Sequence, residues 1–271
     1  MSGAAALAIT MAGACVVAPP PPPPTLPHPV KVAYFGDSVA YSYAIAATNT
    51  AAIQGGELLQ VSGSIRLGCA LGRYAKFRGD FWNPQGNYNM LCDWSQNYTD
   101  GTYSTVGYQS QVGTYQPHLA VVWFCGWDTN ELRIPLGGNT WDTEYRTVGD
   151  PTYEAFLATE LHLMTDQLMS AGARAVVLLT CGTPWDINTG QLRPHAAKVA
   201  QLNDFFRSIP ASDPRVQVIE AGPFIDSQAS PYTFRPDGQH FDWTGGAALA
   251  NQFLDAQIQQ LATTLYGPPA P

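Results

Sequence analysis

KVAYFGDSVA, residues 31–40, holds the order of events that decides the fold: a short apolar strand at 32–35, a turn at Gly36-Asp37-Ser38, and the start of a helix. The helical reading continues through VAYSYAIAATNTAAIQ, residues 39–54. Outward from this unit the same alternation repeats. LAVVWF (119–124), preceded by Pro117, and AVVLLT (175–180) are apolar runs of the kind that form strands buried on both faces, and VQVIEA (216–221) reads as a further strand. A further strand is expected at 58–61. Helices are predicted over 152–172 with Gly172 as a stop, over 194–208, and from 245 to 265 with Thr244 as the cap. Strand-helix alternation predicts a three-layer α/β/α, doubly wound parallel sheet over residues 31–271, with no internal repeat. Reactive residues then belong in the loops beyond the carboxyl ends of the strands. The stretch 69–116 shows no convincing element and is expected to wrap the site or one flank.

At 271 residues with 45% hydrophobic content, the chain can build a sizeable core. Only 13% of residues are charged and the net charge is −8, which argues against a nucleic-acid partner. The 7 Trp and 13 Tyr can supply flat platforms for sugars, although core and rim packing accounts for most such residues. Residues 1–30 read as an apolar leader and a proline-rich linker, the run 19–24 being a stiff polyproline spacer. No Lys or Arg precedes Lys31, and the apolar stretch falls short of the roughly 20 residues that cross a bilayer. A start within a signal sequence, the end of a membrane helix, and a degenerate lipobox ending at Cys15 all remain open. Each points to an extracytoplasmic, secreted or envelope-anchored protein; a plain disordered tail is the alternative. Cys69 and Cys92 flank a polar, Gly-rich segment and are expected to form a disulfide in an oxidising compartment. Cys125 and Cys181 each end a strand, as neighbours or as free buried thiols. No metal-ligand spacing and no GxxxxGK[ST], GxGxxG or HExxH motif occurs, so no metal or cofactor is expected.

Ser38, between a strand and a helix, would present its hydroxyl at the mouth of the sheet with its N–H at the positive end of the helix dipole. A serine in that place can equally be a plain helix cap. Asp237-Gly-Gln-His240 adds what a serine nucleophile needs: an imidazole to take its proton and a carboxylate to orient the ring. This segment also lies between the last strand and the last helix. Among the other histidines, His28 is in the proline tail, His118 precedes a strand and His162 lies on a helix; His195 is the one competitor and has no carboxylate at comparable spacing.

GDSV at 36–39, Gly68 in RLGCALG, GWDTN at 126–130 and DGQHF at 237–241 follow the order of the four SGNH (GDSL-like) hydrolase blocks. The chain resembles that family over about 31–265, and is most similar to SGNH domains associated with actinobacterial acyltransferase-3 proteins. The shared features are GDSVA, Gly68-Cys69, Cys92-Asp93-Trp94 and Arg235-Pro-Asp-Gly-Gln-His-Phe241. The resemblance implies a flavodoxin-like fold and a serine esterase acting on O-acyl esters, short-chain and carbohydrate-linked. Ser38 would be its nucleophile, His240 its base and Asp237 the orienter, with the N–H groups of Ser38 and Gly68 holding the oxyanion. It also implies an acylated small molecule or glycan as substrate, with a membrane acyltransferase as a possible partner. An O-acyltransferase role on cell-envelope glycans and a non-catalytic carbohydrate-binding relic are the alternatives. The family's third block is G-x-N-D, whose Asn donates to the oxyanion. Here Asp128 stands at that position, where an ionised carboxylate would repel the oxyanion; Trp127 and Asn130 are the candidate substitutes.

Overall fold

The computed structural model describes residues 30–47, 70–73, 75–78, 112–113, 115–137 and 140–267. The leader, the strand expected at 58–61, Gly68 and the Cys69–Cys92 pairing lie outside the described residues. Four strands, β1 Val32–Gly36, β2 Leu119–Trp123, β3 Ala175–Leu179 and β4 Val216–Ile219, form one sheet in that order. Every pairing is parallel: Val32 lies opposite Leu119, Leu119 opposite Ala175, and Val176 opposite Val216. All residues of β1, β2 and β3 are buried. Both faces of the sheet are therefore covered, which is why these strands read as unbroken apolar runs rather than alternations. In β4, at the sheet edge, the two middle residues are only partly covered.

Helices α1 Ser38–Ala47, α2 Pro151–Ser170, α3 Ala196–Ser212, α4 Ala221–Asp226, α5 Trp243–Leu249 and α6 Asp255–Tyr266 flank the sheet, a π-helical turn, Ala250–Leu254, joining the last two. Asp150 caps α2, its carboxylate accepting from Thr152 N at 2.8 Å and Tyr153 N at 3.3 Å, and Pro151 fills the first turn, where no N–H is needed. Contrary to the expected stop at 208, α3 continues past Pro210, and Asp213 N donates to Ile209 O at 2.8 Å to close the final turn. The cap before α5 is Asp242, not Thr244: its carboxylate accepts from Gly245 N at 2.6 Å, and Thr244 is already in the first turn. Helix α5 crosses α1 so closely that a Cβ on Gly246 would lie 2.4 Å from the Ala46 Cβ. Between them, Tyr43 meets Trp123 and Phe241 edge-on at 5.4 and 5.7 Å.

Helix α4 was not foreseen, nor were three antiparallel pairings: 185–186 with 191–192, 135–137 with 140–141, and 76–77 with 132–133. The last pairs part of the stretch 69–116 expected to lack elements. Cys125 and Cys181 are joined by a disulfide with Cα atoms 5.5 Å apart, tying together the loops that leave β2 and β3. Among the described residues no helix is long and apolar enough to cross a membrane.

Candidate active site

The turn after β1 is forced by packing. Gly36 has φ +151°, and a Cβ there would sit 2.0 Å from the Trp123 carbonyl oxygen, so only glycine lets β1 end against β2. Asp37, fully buried, fixes the next two residues. One carboxylate oxygen accepts from Val39 N at 2.9 Å; the other accepts from Cys125 N at 2.9 Å and Gly126 N at 3.0 Å. Burial raises this carboxyl above its ordinary value, partly offset by those three N–H bonds and by the charge of His240. Ser38 follows as the first residue of α1, partly exposed, its N–H without an intrahelical acceptor.

The second half of the site arrives from the far end of the chain. Gly238, at φ +80°, lets the turn fold against the 185–192 hairpin, where a Cβ would lie 2.2 Å from the Trp185 oxygen. Gly238 N donates to Arg235 O at 2.7 Å and Trp185 N to Gly238 O at 3.0 Å. Arg193 donates from Nε to Trp185 O at 3.0 Å and from Nη2 to Asp237 O at 3.3 Å, bracing the same turn. Phe241 N then donates to Ser42 Oγ on α1 at 3.1 Å, which docks the segment beside Ser38.

The result is a linear contact of three side chains. Ser38 Oγ lies 2.8 Å from His240 Nε2, and His240 Nδ1 lies 2.7 Å from Asp237 Oδ2. With the ring proton on Nδ1 donated to the carboxylate, Nε2 is free to accept from the serine hydroxyl. The other oxygen of Asp237 accepts from Gln239 N at 2.7 Å and His240 N at 2.6 Å. Partial burial works against its charge, but the His240 ring and these N–H groups outweigh it and hold the carboxyl well below its usual range. His118 instead accepts from Lys31 N, and His162 pairs with Asp213.

The third-block residues have other engagements. Asp128 is fully buried, its oxygens accepting from Leu71 N at 2.7 Å and Gly72 N at 3.2 Å, with the Tyr153 hydroxyl at 3.4 Å. Its carboxylate thus fastens the 71–72 backbone. Asn130 is exposed and turns its amide inward on its own loop, donating to Gly126 O and Trp127 O at 3.2 and 3.0 Å. Trp127 is partly buried, edge-on to Phe77 at 5.6 Å. Sequence reasoning missed Asp37 and Ser42 as anchors, although Asp37 stood in the quoted tripeptide. Among the described residues no group of three or more His, Cys, Asp or Glu could hold a metal ion.

No protein-family model matches the chain, and no curated protein is similar to it in sequence. Solved structures of similar shape include a GDSL-like lipase from Bacteroides thetaiotaomicron, with 12% identity, a TM-score of 0.45, and 86% of this chain and 87% of that one covered. Another is the lipase/acylhydrolase from Enterococcus faecalis, with 15% identity, a TM-score of 0.44, and coverage of 84% and 96%. A carbohydrate esterase family 3 structure from Talaromyces cellulolyticus has 14% identity, a TM-score of 0.40, and coverage of 87% and 99%. Each is a likeness of shape alone.

Proposed function

We propose that the protein is a serine esterase that cleaves O-acyl esters through an acyl-enzyme. The observation that carries this reading is the pair of contacts at 2.8 and 2.7 Å that link Ser38, His240 and Asp237 across some two hundred residues of chain. In the first step Ser38 Oγ bonds to the acyl carbon while its proton passes to His240 Nε2. The alcohol leaves with that proton. Water then attacks the acyl-serine, His240 takes a proton from the water and returns it to Ser38, and the acid departs. Asp237, held ionised, steadies the imidazolium in both steps. The Ser38 N–H at the start of α1 is positioned as one donor to the oxyanion.

Short, carbohydrate-linked acyl groups are the proposed substrates. Trp243, three residues beyond His240 in the chain, is 59% exposed and is the proposed sugar-stacking face. The Cys125–Cys181 disulfide supports an oxidising, extracytoplasmic location. The likeness of the sequence blocks to acyltransferase-associated domains supports a membrane acyltransferase as partner, with a sugar hydroxyl replacing water as acceptor. The purified full chain should hydrolyse p-nitrophenyl acetate, and Ser38→Ala should abolish turnover; activity that survives the substitution removes Ser38 from the mechanism. A second reading, a domain that holds acylated carbohydrate without cleaving it, is favoured by the engagement of Asp128 and Asn130 with backbone rather than with an oxyanion. A fluorophosphonate separates the two, because a non-catalytic relic leaves Ser38 unlabelled.

A further inference from the structure

A tetrahedral acyl carbon on Ser38 Oγ carries three further groups, and two of them have a place. The oxyanion turns to the Ser38 N–H. The alcohol turns to His240 Nε2, 2.8 Å from Ser38 Oγ, which must hand it a proton. The acyl chain is left with the floor between the two turns. That floor is Gly126, partly exposed and without a side chain, whose N–H is bonded to Asp37 at 3.0 Å. The space over it is closed by Gln239: a Cβ on Gly126 would lie 3.2 Å from Gln239 Nε2, so the amide stands against the floor. The Gln239 N–H donates to Asp237 Oδ1 at 2.7 Å, which sets this side chain on the same braced turn as His240. Its amide meets no hydrogen-bond partner among the described residues, so what it contributes there is bulk. Behind Gln239, which is part of the wall, lies a cavity with about 10 Å³ of room for a water-sized occupant. Its lining is largely apolar and includes Val39, Trp123, Val199, Ile225 and Phe241. Val39 and Phe241 directly follow Ser38 and His240 in the chain, so the cavity backs onto the reacting pair.

We infer that Gln239 is the stop that limits the acyl group to acetyl. Its side chain stands between the floor and the cavity: a methyl group fits over Gly126, and each further methylene runs into the amide. A wall of this kind discriminates by roughly tenfold or more per methylene. With Gln239 cut back to its Cβ, floor and apolar cavity join, and a longer chain finds a buried path past Val199. The inference rests on the esterase reading and adds to it the acyl class and the residue that selects it.

The test measures kcat/KM for p-nitrophenyl acetate, propionate, butyrate and hexanoate with the purified full chain. The wild type should prefer acetate to butyrate by at least about tenfold. Gln239→Ala should raise the butyrate-to-acetate ratio by at least about tenfold, chiefly through KM, whereas Gln239→Leu, similar in size, should keep the wild-type ratio. Adding Val199→Ile to Gln239→Ala refills the cavity by one methylene and should take back most of the improvement with hexanoate. A ratio unchanged in Gln239→Ala, or raised equally in Gln239→Leu, overturns the stop. So does a wild type that takes hexanoate as well as acetate, or a hexanoate improvement that Val199→Ile leaves untouched. Failure of the esterase reading looks different. No turnover of any ester, or turnover that survives Ser38→Ala, sinks both, while Ser38-dependent turnover with the same chain-length profile in every variant sinks the stop alone.

Discussion

Replacing Asp128 with asparagine probes the pH dependence of the layer under the site. Burial dominates this carboxyl and, with the charge of Asp37, outweighs the bonds from Leu71, Gly72 and Tyr153, raising it from 3.8 to about 7. In the unfolded chain the same group titrates near about 3.9. The native state thus binds this proton more tightly than the unfolded state does. Stability from the group is whole below about pH 4, falls as the unfolded chain ionises first, and is gone once the pH has passed about 7. At about 1.4 kcal/mol per pH unit the gap corresponds to roughly 4 kcal/mol. Asparagine keeps the shape and has no such proton. Urea melts of both proteins between pH 4 and 8 should show the wild-type advantage shrinking by several kcal/mol up to neutrality, then levelling. A difference that stays flat over this range, or that grows with pH, refutes the account of Asp128 as a buried carboxyl that favours its proton.

Asp237→Asn should leave the fold intact and lower kcat on the order of 10³–10⁴-fold, because the ring would lose the partner that fixes its tautomer; near-normal turnover would remove Asp237 from that role. Gly238→Ala places a Cβ 2.2 Å from the Trp185 oxygen at φ +80° and should cost about 1–3 kcal/mol in denaturant melts, with activity falling as the His240 turn shifts. Opening the Cys125–Cys181 bridge by Cys181→Ser should cost about 2–4 kcal/mol, and a melting temperature unchanged by reductant would contradict the pairing.

Much of the fold and the site was legible in the chain. The runs at 119–124 and 175–180 announced doubly covered strands because a strand buried on both faces has no polar side to show. That Ser38, Asp237 and His240 would come together was expected because activating a serine would require those three chemistries at strand ends, and the structure brings them within 2.8 and 2.7 Å of one another. What escaped reading depends on tertiary placement. Asp242 won the cap from Thr244 by an offset of two residues, which propensity alone does not resolve, since both types cap well. Helix α3 runs past the expected end at 208, and Pro210 is tolerated in the last turn of a helix packed through Phe205, Phe206 and Ile209. Helix α4, six residues long, is too short for a period to emerge. Asp128 could be read by position as a failed oxyanion donor; that it secures Leu71 and Gly72 is visible only once two segments 57 residues apart are seen to meet.

The fastening of Asp37 to Cys125 and Gly126 reaches further than one turn. Cys125 is bonded through sulfur to Cys181, and Asn203 on α3 grips both the N–H and the C=O of Cys181, at 2.7 and 2.8 Å. The serine's footing is in this way bolted to a helix some 160 residues further along the chain. Ser38 is thereby held from both ends of the sheet's loop layer. The Asp237–His240 turn is pinned in the same manner, by Arg193 on one side and Ser42 on the other, so the two halves of the site meet as pre-set pieces.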